Sequence, residues 1–166
     1  MRMTVIALVL AAGPMGAAAA AQDRPAPSIE FSAGWVGFAD DGVVSESLLG
    51  GAARLYVLPR ISVGPEVVYI AAESHSHLIA TANVTWDMFA AVGGRPPRVT
   101  PFLVAGGGMF QTRESFVAGT FTSREGAFTA GGGIRGLVGH RVSIGVDARV
   151  GWEPHIRLTG MIGVLM

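Results

Sequence analysis

Arg141-Val142-Ser143-Ile144-Gly145-Val146-Asp147-Ala148-Arg149-Val150-Gly151-Trp152-Glu153 alternates without a fault. One parity holds Arg141, Ser143, Gly145, Asp147, Arg149, Gly151 and Glu153; the other holds Val142, Ile144, Val146, Ala148, Val150 and Trp152. Successive side chains of a strand point to opposite faces, so the run reads as a strand with one polar and one apolar face. It is also long. Soluble strands average about 5–6 residues, whereas a tilted strand needs about 9–11 to cross a bilayer.

The same dyad recurs on both sides. His155 to Met166 sets Ile156, Leu158, Gly160, Ile162, Val164 and Met166 against His155, Arg157 and Thr159. Leu78 to Phe89 sets Leu78, Ala80, Ala82, Val84, Trp86 and Met88 against Ile79, Thr81, Asn83, Thr85, Asp87 and Phe89. Carried along the chain, the pattern predicts eight strands near 28–39, 46–57, 61–72, 78–90, 100–112, 124–138, 141–152 and 155–166. Turn chemistry separates them: Asp40-Asp41-Gly42, Pro59-Arg60, Glu73 to His77, the Pro-rich Val92 to Val99, Arg113 to Ser123, Gly139-His140 and Glu153-Pro154. Leu103 to Gly108 and Phe128 to Gly133 repeat one another as successive hairpin arms.

Composition narrows the class. Of 166 residues 50% are hydrophobic and only 14% charged, with 24 glycines and a mean hydropathy of +0.47. Soluble domains carry roughly 25% charge, and disordered chains are far more polar. Twelve arginines balance twelve acids and lysine is absent, so no electrostatic footprint for nucleic acid exists. No cysteine is present, which excludes a disulfide scaffold and lipoprotein attachment.

Residues 1–21 read as a cleavable signal peptide: Met1-Arg2, the apolar run Met3 to Leu10, and the Ala19-Ala20-Ala21 site. Gly13, Pro14 and Gly16 interrupt the segment, which is too short for a transmembrane helix. Residues 22–27 form a periplasmic linker and residues 28–166 the barrel.

Alternation alone fits a soluble barrel as well, with the apolar face turned inward. Three features favour the opposite sense: a polar face crowded with small residues and sparse in charge, strands of membrane-crossing length, and apolar-face aromatics near strand ends. With odd strands running outward, Phe31, Trp86 and Phe102 are expected in a lower girdle, and Tyr69, Phe110, Phe128 and Trp152 in an upper one. An even strand number lets the sheet close, leaving no unpaired edge in lipid. The expected fold is all-β, an eight-stranded antiparallel up-and-down transmembrane β-barrel.

Pro101 to Gly108, Ala130 to Gly136 and Val142 to Trp152 resemble the glycine-rich strands of the OmpX/OmpA-type outer-membrane β-barrel domain family. The resemblance covers about residues 28–166 and implies residence in the outer membrane, among its lipid and lipopolysaccharide, after delivery by the barrel assembly machinery. Members usually end in an aromatic residue; this chain ends Gly163-Val164-Leu165-Met166.

With the apolar face in lipid, parity sends Glu30, Arg54, Glu66, Asp87, Arg135, Asp147, Arg149 and Arg157 into the lumen. Four acids and four bases withdrawn from water are expected to pair, and eight strands leave little more than side-chain room. A plugged lumen is therefore preferred to a narrow gated channel for ions or small solutes. Gly131 to Gly136 satisfies G-x-G-x-x-G, but a strand follows it where a dinucleotide site needs a helix. Glu73, His75 and His77 could weakly hold zinc; a solvated loop is preferred, and neither metal nor cofactor is expected. Catalysis needs a nucleophile, an oriented base and an oxyanion hole, and no such set is recognisable. Phe116 and Phe121, in the longest connection, mark either a surface for an unknown ligand or an extension of the hairpin. The expectation is a monomeric, non-enzymatic barrel with an envelope-structural or surface-interaction role; the competing soluble reading is a periplasmic β-barrel carrier of an apolar ligand.

Overall fold

The computed structural model describes residues 24–40, 42–71, 75–93, 95–116 and 119–166. The signal-peptide segment, Glu73 and the start of the linker lie outside the described residues. The eight strands are β1 (Ser28–Asp40), β2 (Gly42–Leu58), β3 (Ile61–Ala71), β4 (His75–Asp87), β5 (Val99–Phe116), β6 (Gly119–Val138), β7 (Val142–Gly151) and β8 (His155–Leu165). Each pairs antiparallel with its chain neighbour, and β8 returns to β1, closing the barrel. The closing seam runs in unbroken register from Ser28 opposite Leu165 to Phe38 opposite His155.

Burial follows the dyad. In β7 Asp147, Arg149 and Gly151 are buried while Ile144, Val146 and Val150 are exposed. Leu49, Val67, Val84, Leu158 and Ile162 extend the apolar exterior around the other strands. The sheet is thus inside-out relative to a soluble barrel, whose apolar face would line a ligand cavity.

Two sequence expectations are corrected on β5. Phe102 and Phe110, expected in the girdles, are each only 1% exposed and face the interior. β5 is apolar on both parities, so hydropathy cannot orient it. Pairing does: Phe102 stands opposite buried Asp87 and Phe110 opposite buried Ile79, and directly opposed residues share a face. Gly133, opposite Phe102 on β6, leaves the space that the ring fills; a β-carbon there would lie 2.8 Å from Cζ of Phe102.

The Arg113 to Ser123 segment is largely strand. β5 and β6 continue their ladder through Phe116 opposite Gly119, so of the two arrangements left open by the sequence the segment takes the extended hairpin. The extended hairpin is the taller of the two arrangements the sequence allows. Likewise His75 and His77 belong to β4, and β2 begins at Gly42, ahead of the expected boundary. The G-x-G-x-x-G run lies wholly within β6. Its glycines allow close approach of the neighbouring strand: a β-carbon on Gly131 would collide with the carbonyl oxygen of Ala148, and one on Gly133 with that of Val146.

The lower end carries the tight turns Pro59-Arg60 and Gly139 to Arg141, with Gly139 at φ 68°. It also carries the longer 88–98 connection, in which Val92 bridges Arg95. The β1–β2, β3–β4, β5–β6 and β7–β8 connections lie at the upper end.

Candidate functional site

The interior is built in layers. Lowest is a cluster around Arg135 on β6. Its guanidinium binds Asp87 of β4 and donates to Tyr56 Oη of β2 at 2.7 Å, and Tyr56 donates to Asp87 at 2.8 Å. Glu30 pairs with Arg54 at 2.7 Å and lies 3.9 Å from Arg135. Phe102 forms the floor between the two cations, each guanidinium carbon 5.1 Å from its ring centre.

Above it, Glu66 on β3 gathers three donors. Arg149 of β7 reaches Oε2 at 2.7 Å, Arg157 of β8 reaches Oε1 at 2.5 Å, and Asn83 of β4 donates to Oε2 at 2.5 Å. Arg149 also pairs with Asp147 at 2.6 Å, and Thr159 donates to that carboxylate. β3 and β7 are opposite staves of an eight-strand barrel, as are β2 and β6, so both clusters cross the bore. The eight charges placed inward by parity are thus all buried, and each contacts an opposite charge. Interior cavities of about 10 Å³ beside Glu66 and Arg149 have room for about one water each.

An apolar cluster follows. Val36, Leu48, Val68, Ile70, Ile79 and Phe110 point inward from five strands and pack together, with Phe38 and Ala127 against them. These residues have inward parity but no polar mark, and a polar lumen gave no reason to look for them. Tyr56 was equally unmarked, and Asn83, though on the polar side of its strand, carried no charge to single it out; both are neutral groups that satisfy charges.

At the upper mouth the interior turns polar again. His77 rests on Phe38 and Phe110, ring centres 5.2 and 5.1 Å away, and its Nδ1 faces Thr112 Oγ1 at 3.0 Å. His75 stands edge-on to His77 at 4.9 Å, and its Nε2 is 2.9 Å from Oε1 of Glu46 on β2. His155 also packs on Phe38, ring centres 5.5 Å apart, and its Nδ1 donates to the carbonyl oxygen of Trp152 at 2.7 Å.

On the outside, Phe31 and Trp86 lie toward the lower end and Tyr69, Phe128 and Trp152 toward the upper, all exposed. Phe128 and Trp152 meet edge-to-face at 6.1 Å. Phe121 is exposed on the extension of β6; the side chain of Phe116 lies outside the described residues.

Solved structures share this architecture. Neisserial surface protein A superposes with a TM-score of 0.72 at 11% identity, covering 84% of this chain and 97% of that one. The N-terminal β-barrel domain of Pseudomonas aeruginosa OprF gives 0.61 at 10% identity, covering 87% and 100%. Ail, the attachment invasion locus protein of Yersinia pestis, gives 0.55 at 13% identity, covering 86% and 96%. All three are small eight-stranded outer-membrane barrels of the OmpA/OmpX type, and this chain has their fold. No protein-family model matches the chain, and no curated protein matches its sequence.

Proposed function

We propose that the chain is a non-enzymatic, monomeric outer-membrane barrel with a closed lumen, serving envelope integrity or contact at the cell surface. The observation that carries this reading is a cross-barrel ionic network with a packed apolar cluster above it. Ions crossing the bore would have to separate paired buried charges and then pass a packed apolar cluster. The apolar exterior with aromatics toward both ends supports placement among membrane lipid and lipopolysaccharide. Export by the 1–21 segment and insertion by the barrel assembly machinery belong to the same reading. The extended β5–β6 hairpin, with exposed Phe121, supports surface contact with a ligand still to be identified.

Conductance across planar bilayers tests it. The purified barrel is expected to give no current steps at either polarity. Reproducible, voltage-dependent steps would overturn the closed reading in favour of a narrow gated channel. Lipid A of unchanged mass in cells with and without the chain is the expected result for a protein that does no chemistry at the rim.

A further inference from the structure

We propose that Glu46, His75 and His77 form a binding site for one first-row transition-metal ion of the zinc class at the upper mouth of the barrel. Their ligand atoms, one carboxylate oxygen and two imidazole nitrogens, all lie within 4.8 Å of one another. Ligands about 2.1 Å from a tetrahedral zinc stand about 3.4 Å apart, so the set needs only small adjustment to close on an ion.

The fold explains how distant positions converge. His75 and His77, two residues apart on β4, share the inward face. Ser47, Ala71 and Ser76 form one row across β2, β3 and β4, which sets Glu46 beside the histidine pair on the concave side. Glu73, the carboxylate that sequence proximity suggests, is not needed.

Glu46 gives a second observation: the residue is 6% exposed, His75 Nε2 lies 2.9 Å from its Oε1, and its Oε2 has no hydrogen-bond partner among the described residues. The four carboxylates lower in the lumen each hold an arginine, whereas the described ion pairs of Glu46 reach only His75. A cation beside a buried carboxylate favours its ionised form, and two imidazoles at the same place select a borderline-soft ion over calcium or magnesium, which take oxygen shells. Thr112 completes the second shell. In the tautomer in which Nδ1–H of His77 donates to the Thr112 hydroxyl, Nε2 keeps the lone pair that a metal needs. The apolar layer under His77 seals the site from below, and half-buried His75 leaves it open to the upper rim. Three protein ligands leave a fourth position for water or an external donor.

The test uses the untagged chain, refolded in detergent micelles, stripped with chelator and titrated with zinc against a chromophoric competitor. One equivalent is expected to bind. Second-shell partners alone are worth about 10–100-fold in affinity, so Thr112→Ala should fall in that range and Glu46→Gln or His77→Ala should lose about a hundredfold or more. His140→Ala, at the lower end, should bind as the parent does. Each variant is checked for folding by its heat-dependent gel mobility. Absence of zinc uptake by the folded parent, or parent-like uptake by folded Glu46→Gln and His77→Ala, would overturn the site.

Discussion

Glu66 on β3 and Arg149 on β7 meet across the whole width of the barrel, Oε2 to Nη1 at 2.7 Å. Neither strand touches the other through its backbone, so this contact and its companion from Arg157 tie opposite walls directly. Removing Glu66 leaves two buried guanidiniums without their shared anion. Glu66→Met is expected to cost about 3–5 kcal/mol, read by urea unfolding of the reconstituted barrel. The Glu66→Met/Arg149→Met pair should cost less than the sum of the single changes, since it removes both ends of one contact.

Phe102 and Phe31 separate interior from exterior aromatics. Phe102 fills the gap over Gly133 and lies between Arg54 and Arg135, so Phe102→Ala is expected to cost about 3–5 kcal/mol. Phe31 is exposed on the outer wall, and Phe31→Ala should cost clearly less in the same unfolding assay.

On the proposed closed-lumen reading, the ionic network and the apolar cluster act as two barriers in series. Arg149→Ala alone leaves the Val36–Phe110 layer, and Phe110→Ala alone leaves the ionic network. Each single variant should remain silent in planar bilayers, while Arg149→Ala/Phe110→Ala should conduct. A current from either single variant would show that one layer carries the whole seal.

Adjacent glycines on β5 should respond oppositely to a side chain. Gly108 faces inward against the Ala80 carbonyl, so Gly108→Val is expected to cost about 3 kcal/mol, the upper part of the range for overpacking. Gly107 faces outward, its nearest obstacle the Ala127 oxygen 3.6 Å from an added β-carbon, and Gly107→Val should fold normally. Heat-dependent gel mobility distinguishes the two.

The dyad made the strands and the eight lumen charges legible, because a charge on an otherwise apolar alternation has a single tolerable face. It failed where both faces are apolar. Phe102 and Phe110 took their side from Asp87, Ile79 and Gly133, partners on other strands that parity within β5 cannot report. Glu46 was invisible for a related reason: its relation to His75 and His77 runs across β3, and local spacing offered Glu73 as the nearer carboxylate. Hairpin length was ambiguous because Arg113 to Ser123 mixes strand and turn formers.

The seam from Ser28–Phe38 to His155–Leu165 has a kinetic consequence. Seven of the eight strand interfaces join elements adjacent in the chain and can form by local zipping. The eighth brings together the two ends of the barrel segment, so it bears the largest loop-closure entropy and sets the contact order. A permuted chain, opened at Pro59-Arg60 and joined across Pro27 and Met166, keeps every interior contact yet moves the late-forming interface to β2–β3. The same finished barrel would then be reached by a different last step.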